Sequence, residues 1–509
     1  METLKQTFAN KNFRIIGILL GLIIYHFLFW KQLFGLNLLV FTILFFVSIK
    51  LFNRKTFASK QVNLTGFLTV LLSIIVIING SLVSKIIYSI SFFIWIGFVF
   101  FPNIKSIIVA LPNGFYHFIL SIEALINSTK DIQLFPSKYN NKIRNAKLIL
   151  IPLLILIVFF VIFVNANPVF NLMMSKILDQ FADFFINLFE NFSFYWIYFM
   201  VLGFVIISGI YYKGGFSSLT SFDENGVENL KRTKLFVKKN FNPIGLKDEF
   251  KTGIYVFILV NILLAIVNYI DINWIWLNFK LPKGMNYSQL VHEGTYLLIL
   301  SILLSMAIIL YFFRKNQNFY PQNRILKISA FVWIIQNIIL VISVAIRNYR
   351  YINEYGLAYK RIGVIFFLIL TLIGLITLIF KIQKIKTSYF LLKTNSWATY
   401  FVIILLAVFN WDLIIADYNL NRKSSNEIDK EFLISLSNKT LPIIYYNVDK
   451  INKQNKILKF TYTYTEGQIL YSTLMNYKIK EFKKEYEKRS ILSWNYSDYM
   501  AYKKLKIVE

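Results

Sequence analysis

The chain has no cysteine. Disulfides, thiolate nucleophiles, cysteine metal sites and cysteine lipidation are therefore excluded. Histidine is scarce, with only His26, His117 and His292 in 509 residues. In the string HEGTY at 292–296, Tyr296 occupies the place where a zincin needs its second histidine, so His292 beside Glu293 reads as a capping or interfacial pair. There is no G-x-x-x-x-G-K-[ST] loop, no G-x-G-x-x-G turn and no G-x-S-x-G elbow, so the common nucleotide-binding and serine-hydrolase signatures are missing. Acidic residues number 26 against 55 Lys and Arg, and no carboxylate cluster stands where a general base or metal would need one. No catalytic, cofactor-binding or metal-ligating residue is assigned, and no cofactor is expected.

What the chain has in quantity is apolar sequence. Hydrophobic residues make up 57% of it and the mean hydropathy is +0.56, against about 45–50% apolar for a soluble domain. Runs of about 18 apolar residues recur, each able to cross roughly 30 Å of hydrocarbon at about 1.5 Å per residue. They are too continuous for a membrane barrel. The expected fold class is all-α: a polytopic transmembrane helical bundle of about eleven spans with a small soluble C-terminal domain. The spans are expected near 13–30, 35–52, 66–79, 86–101, 148–164, 192–212, 253–271, 295–313, 325–346, 362–380 and 397–415. The third and fourth are short and tightly joined at INGSLVSK, so a re-entrant pair is an open alternative there. The first run, FRIIGILLGLIIYHFLFW, has no small-residue cleavage site and leads straight into another span, so it reads as a retained helix. Its Gly17 and Gly21 fit close helix packing.

The net charge of +29 would point to nucleic acid in a soluble protein. In so apolar a chain it points instead to the bilayer and its anionic headgroups, with no nucleic-acid partner. Short loops set the orientation. Arg54, Lys55 and Lys60, then Arg314, Lys315, Arg324 and Lys327, then Lys381, Lys384, Lys386 and Lys393 all fall on one side, in loops without acids. By the positive-inside rule these loops are cytoplasmic. The expected location is the cell inner membrane, multi-pass, with the N-terminus cytoplasmic and the C-terminus extracytoplasmic.

Four regions follow: an N-terminal membrane bundle over 1–212, a cytoplasmic connector over 213–252, a second membrane bundle over 253–416 and a small extracytoplasmic domain over 417–509. Two helices are expected to lie in the membrane plane, near 114–127 after Pro112 and over 169–190 after the helix-breaking NANP. In the tail, SNEIDKEFLISLS reads as a short helix with Ser425 near its start. KILKFTYTYTEG fits strand or helix. A helix over 468–489 would carry Glu481–Lys484 and Glu485–Arg489 pairs.

Two constellations are candidates for function. Asn261, Gln336, Asn337 and Asp412 are polar residues in or near spans, where they would line a polar cavity or bond helix to helix. The second lies in RNYRYINEYGLAYKR at 347–361. A helix continuing to a stop at Gly356 would place Arg350 and Glu354 at i,i+4, with Lys360 and Arg361 opening the next span. Outward-facing arginines oppose the deduced orientation, so something local must hold them. Arg347, Arg350, Tyr351, Tyr355 and Arg361 are the candidate anionic-ligand site, with an aromatic belt and snorkelling cations as the plainer reading.

With NANPVF at 165–170, YSQLVHEGTYLLILSILL at 287–304, YINEYGLAYKR at 351–361, FLISLSNKTLP at 432–442 and SWNYSDYMAY at 493–502, the chain resembles a bacterial family of polytopic inner-membrane proteins, known as a domain of unknown function of the 4153/4173 type. The resemblance runs from about residue 148 to the end. It implies a multi-span membrane protein with an integral tail, and carries no substrate or reaction. The expected function is a non-enzymatic envelope component, a transport or accessory subunit handling an anionic solute or lipid. The alternatives are a sensor or scaffold whose C-terminal domain binds an extracytoplasmic partner, and a transferase acting on a lipid-linked substrate.

Overall fold

The computed structural model describes residues 11–52, 54–129, 194–232, 245–280, 287–422, 428–452, 457–462 and 465–507, with a few positions between 156 and 175. The expected span at 148–164 and the in-plane helix at 169–190 lie almost wholly outside them. At the edge of that region, the Asn167 Oδ1 accepts from the Val169 and Phe170 N–H groups.

By contacts the chain forms two compact units, residues 1–31 with 116–215 and residues 32–115 with 216–509. In the first, α1 (Lys11–Phe29) lies along α6 (Phe194–Tyr211). Their contact is close because Gly17 faces Tyr211, Gly21 faces Ile207 and Gly203 faces Tyr25. Small residues let membrane helices approach until their side chains interlock. Tyr25 stacks on Phe199 at 4.7 Å, and His26 sits among Trp30, Trp196 and Phe199. His117 is fully buried between the Gly209 and Gly214 carbonyls.

The second unit begins with α2 (Leu36–Phe52), α3 (Lys60–Asn79) and α4 (Leu82–Phe100). At 20 and 19 residues, α3 and α4 are both long enough to cross. They turn through Gly80, at φ 56°, and Ser81, whose side chain caps the Ser84 N–H. Hydroxyls tie α4 to its neighbours: Thr69 to Ser91 at 2.8 Å, Ser91 to Tyr400 at 2.6 Å and Thr42 to Tyr88 at 2.7 Å.

Helix α5 (Ile107–Thr129) starts seven residues before the segment expected near 114–127. Its Ile107–Ser128 stretch is long and apolar enough to cross a membrane. Pro112 reads as a helix start because it lacks an N–H, yet here it is interior. The true start is fixed from a distant part of the chain. Asp223, in α7 (Ser217–Glu224), accepts from the N–H groups of Lys105 and Ser106 and from the Ser106 hydroxyl. Tyr389 donates to the same carboxylate at 3.0 Å. Beyond α7, Glu228 pairs with Lys393 at 2.6 Å, and Asn229 bridges to Lys386. Lys393, and less strongly Lys386 and Lys105, hold the Glu228 carboxyl below its ordinary pKa.

The remaining long helices are α8 (Leu246–Asp271, continued by a wider π turn to Leu277), α9 (Tyr287–Phe312), α10 (Arg324–Tyr355), α11 (Tyr359–Gln383) and α12 (Ser388–Val408). Phe257, Ile302, Ile309, Phe313, Trp333, Ile334, Leu375 and Leu378 form their shared core. The expected span at 397–415 is displaced. Helix α12 starts at Ser388, capped by Thr387, and ends at Val408, where the Asn79 amide holds the Ala407 and Val408 carbonyls. Its polar first turns looked like loop in sequence; Thr377 and Glu228 supply partners for Asn395 and Lys393. A separate α13 (Trp411–Asn421) follows. Nine helices among the described residues are long and apolar enough to span, and Arg14–Phe29 and Leu36–Phe52 are shorter apolar helices. This is a multi-pass membrane protein.

The tail comprises α14 (Lys430–Ser435), α15 (Leu441–Tyr446), α16 (Val448–Asn452), a hairpin of β1 (Ile457–Tyr462) and β2 (Thr465–Leu470), α17 (Tyr471–Glu487) and α18 (Tyr496–Lys506). The hairpin is antiparallel, from Ile457 opposite Leu470 to Tyr462 opposite Thr465. It resolves the strand-or-helix ambiguity within a chain whose other regular elements, among the described residues, are helical. Asp429, not Ser425, caps α14; Ser425 is outside the described residues. Arg489 reaches Glu485 at 4.0 Å but pairs more closely with Asp498, at 2.6 Å, while Glu481 accepts from Tyr477. The tail core is shared with other helices: Leu433, Ile444, Ile451, Tyr471 and Met475 pack with Ile352, Leu357, Ile362 and Ile415. Its last turns bond to 32–36 and 78–80 through Ser493, Trp494 and Ser497.

Candidate functional site

Helices α8 and α10 run in the same direction with one polar seam between them. Asn261 donates to the Ser329 carbonyl at 2.9 Å, and Gln336 donates to the Asn261 side chain at 2.8 Å. Asn268 donates to the Gln336 carbonyl at 3.0 Å, and Trp276 to the Ser343 hydroxyl at 3.0 Å. The seam ends in ions. The Arg347 Nη2 lies 2.6 Å from the Asp271 Oδ1, with side chains only 7% and 6% exposed. Arg350 donates to the Ile275 carbonyl at 2.7 Å and lies over the Phe279 ring.

The expected intramembrane cluster therefore divides. Asn261 and Gln336 meet. Asn337 is buried and bonds back to the Trp333 carbonyl of its own helix. Asp412 stands in the first turn of α13 and accepts from Ser437. Sequence reading overlooked Asn268 and the Asp271–Arg347 pair, although the signal is present: Asn261 and Asn268 are seven apart, as are Ser329, Gln336, Ser343 and Arg350. A seven-residue repeat keeps one stripe of a helix facing its neighbour.

Helix α10 is about 48 Å long at 1.5 Å per residue over its 32 residues, so it outreaches a hydrocarbon layer of roughly 30 Å. Its overhang carries the Arg and Tyr residues and stops at Gly356, whose φ is 87°. A Cβ at Gly356 would run into the Asn419 Oδ1. Asn419 acts like a strand neighbour to the turn, accepting from the Leu357 N–H at 2.6 Å and donating to the Leu357 carbonyl at 2.9 Å. Arg422 donates to the Glu354 carbonyl, and Tyr418 to Asn353. Arg350 does not take Glu354 as its partner, because the Ile275 carbonyl and Phe279 ring occupy it.

The turn delivers the start of α11 to a cavity of about 360 Å³, lined by residues that include Thr295, Tyr296, Tyr351, Lys360, Arg361 and Phe432. Of the expected anionic-ligand residues, Tyr351 and Arg361 line it; Arg347 and Arg350 serve the α8 seam, and Tyr355 packs against Tyr351, the rings tilted and 5.0 Å apart. Arg361 lies over the Tyr351 ring at 4.2 Å and uses Nη1 for the Tyr355 and Gly356 carbonyls. Its Nε and Nη2 keep no acceptor among the described residues. Lys360 is exposed and has no ion-pair partner among them. Ala358 gives α11 no side-chain cap; the Arg361 N–H bonds to the Ala358 carbonyl at 3.0 Å, while the Tyr359 and Lys360 N–H groups have no acceptor among the described residues. Thr295 is 1% exposed, and its hydroxyl has no partner among the described residues. No carboxylate is among the described lining residues. The tail supplies Phe432 as one wall, a contribution invisible in sequence. The His292 and Glu293 side chains are outside the described residues. Among the described residues, no three His, Asp or Glu converge to hold a metal.

A family profile described as "Domain of unknown function (DUF4153)" matches residues 82–446. It starts earlier than the motif resemblance and ends before the SWNYSDYMAY string. No curated protein and no solved structure matches the chain.

Proposed function

The chain belongs to this DUF4153 family, whose description assigns no activity, and from the site itself we propose that it is a non-enzymatic membrane component that binds an anionic group at the start of α11. The observation that carries the reading is the cavity, where an uncapped helix N-terminus, two cations and a buried hydroxyl meet, with no carboxylate and no partner for that hydroxyl among the described residues. Helix N-termini and guanidinium groups are both suited to oxyanions. In this reading the α10–α11 turn faces the extracytoplasmic side of a bacterial inner membrane. Its cations are tolerated there because Asp271, backbone carbonyls and aromatic rings hold Arg347, Arg350 and Arg361. The protein would act as a transport or accessory subunit for an anionic solute or lipid.

The test is thermal unfolding of the purified full chain in detergent against a panel of anions: phosphate, sulfate and an anionic amphiphile. At least one should raise the wild-type midpoint saturably, and Lys360→Glu should abolish that rise. No shift with any anion, or an unchanged response in K360E, would defeat the reading.

A second reading is a sensor or scaffold. It is favoured by Phe432, which ties the tail to the cavity, so occupancy would be felt by the segment offered to a partner. Because the tail core includes Ile352, Leu357 and Ile362, a partner should be sought with the full chain. Crosslinking that changes on adding anion would support this reading, and crosslinking that never captures a partner would remove it.

A further inference from the structure

We infer that the group held at the start of α11 is the phosphate of an anionic membrane lipid; this rests on the anion-binding reading above and names its ligand class. The donors are of three kinds. The Tyr359 and Lys360 N–H groups point from the helix end, Lys360 and the free edge of Arg361 supply charge, and Thr295 supplies a hydroxyl from α9. A carboxylate offers two oxygens. A lipid phosphodiester also has two charged oxygens, but they and its two ester oxygens spread over a tetrahedron, and so can meet donors arriving from α9 and α11 together.

The remaining walls suit an amphiphile rather than a bare ion. Val364, Tyr296 and Phe432 line the same cavity. An apolar face leads away from it on each helix: Tyr296, Leu300 and Leu304 on α9 are exposed, as is Phe367 on α11, one turn beyond Val364. The polar donors thus stand at one end of this apolar surface, and the helices meet again at Gly374 and Met306. Headgroup and chain would each meet a matching surface.

The experiment uses the full chain in detergent and three probes: dioctanoyl phosphatidylglycerol, inorganic phosphate, and octanoate as a carboxylate with the same chain length. The readout is the thermal midpoint against probe concentration, for wild type, Thr295→Val and Lys360→Gln. Phosphatidylglycerol should bind at least ten times more tightly than either other probe, and each variant should weaken it about tenfold, the loss expected of one hydrogen bond to a charged group. Lys360 is exposed, so K360Q keeps the test open if T295V folds poorly. Equal affinity for inorganic phosphate and lipid, both weakened in K360Q, would overturn the lipid inference and leave the anion-binding reading standing. Tight octanoate binding would do the same. Phosphatidylglycerol stabilisation that is unchanged in both variants, or no probe binding at all, would overturn both.

Discussion

The Asp271–Arg347 pair offers the sharpest perturbation. Its atoms are 2.6 Å apart, and both side chains are nearly sealed from surrounding space. Removing one partner of a buried pair leaves an uncompensated charge and costs about 3–5 kcal/mol. That is roughly two to four orders of magnitude in the unfolding equilibrium. The two single variants should not be equal. In Arg347→Met the orphaned carboxylate can take up a proton and become neutral. In Asp271→Asn the orphaned guanidinium cannot lose one, so D271N should be the more damaging. The double variant D271N/R347M removes both charges and should recover most of the loss, since replacing a buried pair with groups of similar volume is close to neutral. Unfolding by SDS titration in mixed micelles, run as a double-mutant cycle, should show a coupling of at least about 2 kcal/mol. If either single variant stays within about 1 kcal/mol of wild type, or the two effects simply add, the pair is not the desolvated contact described here.

Two further perturbations test the turn and the tail. Gly356→Ala forces a side chain into a φ of 87° and against Asn419, so it should lower stability by about 1–3 kcal/mol. Gly363→Ala, in α11 with nothing within 4 Å of its added carbon, should raise stability by about 0.5–1 kcal/mol; thermal midpoints of the two variants check both signs. Burial lowers the Lys439 pKa from 10.5 to about 8, with Asp498 opposing and Lys85 adding to the shift. The unfolded chain then binds the extra proton between those values, so stability should rise with pH from about 8 to about 10.5, by up to about 3 kcal/mol. Lys439→Met should flatten that segment of the wild-type pH profile; an identical profile would refute the burial argument.

The apolar runs alone make this a multi-pass membrane protein, because covering a hydrocarbon layer demands length and composition that any reader of the chain can measure. Gly17 and Gly21 as a packing face and Gly356 as a helix stop were legible for the same reason: a missing side chain acts locally. The ends of α5 and α12 were not legible. They depend on Asp223 and Asn79, which lie far away in sequence and supply the hydrogen bonds that helix termini lack. The candidate site was half legible. Tyr351, Lys360 and Arg361 share one stretch, while Thr295 and Phe432 come from other helices. Arg347 and Arg350 look alike in the string but were turned to α8 by Asp271 and the Ile275 carbonyl. Composition and spacing decide which groups must avoid lipid; only the packed chain decides which partner each one finds.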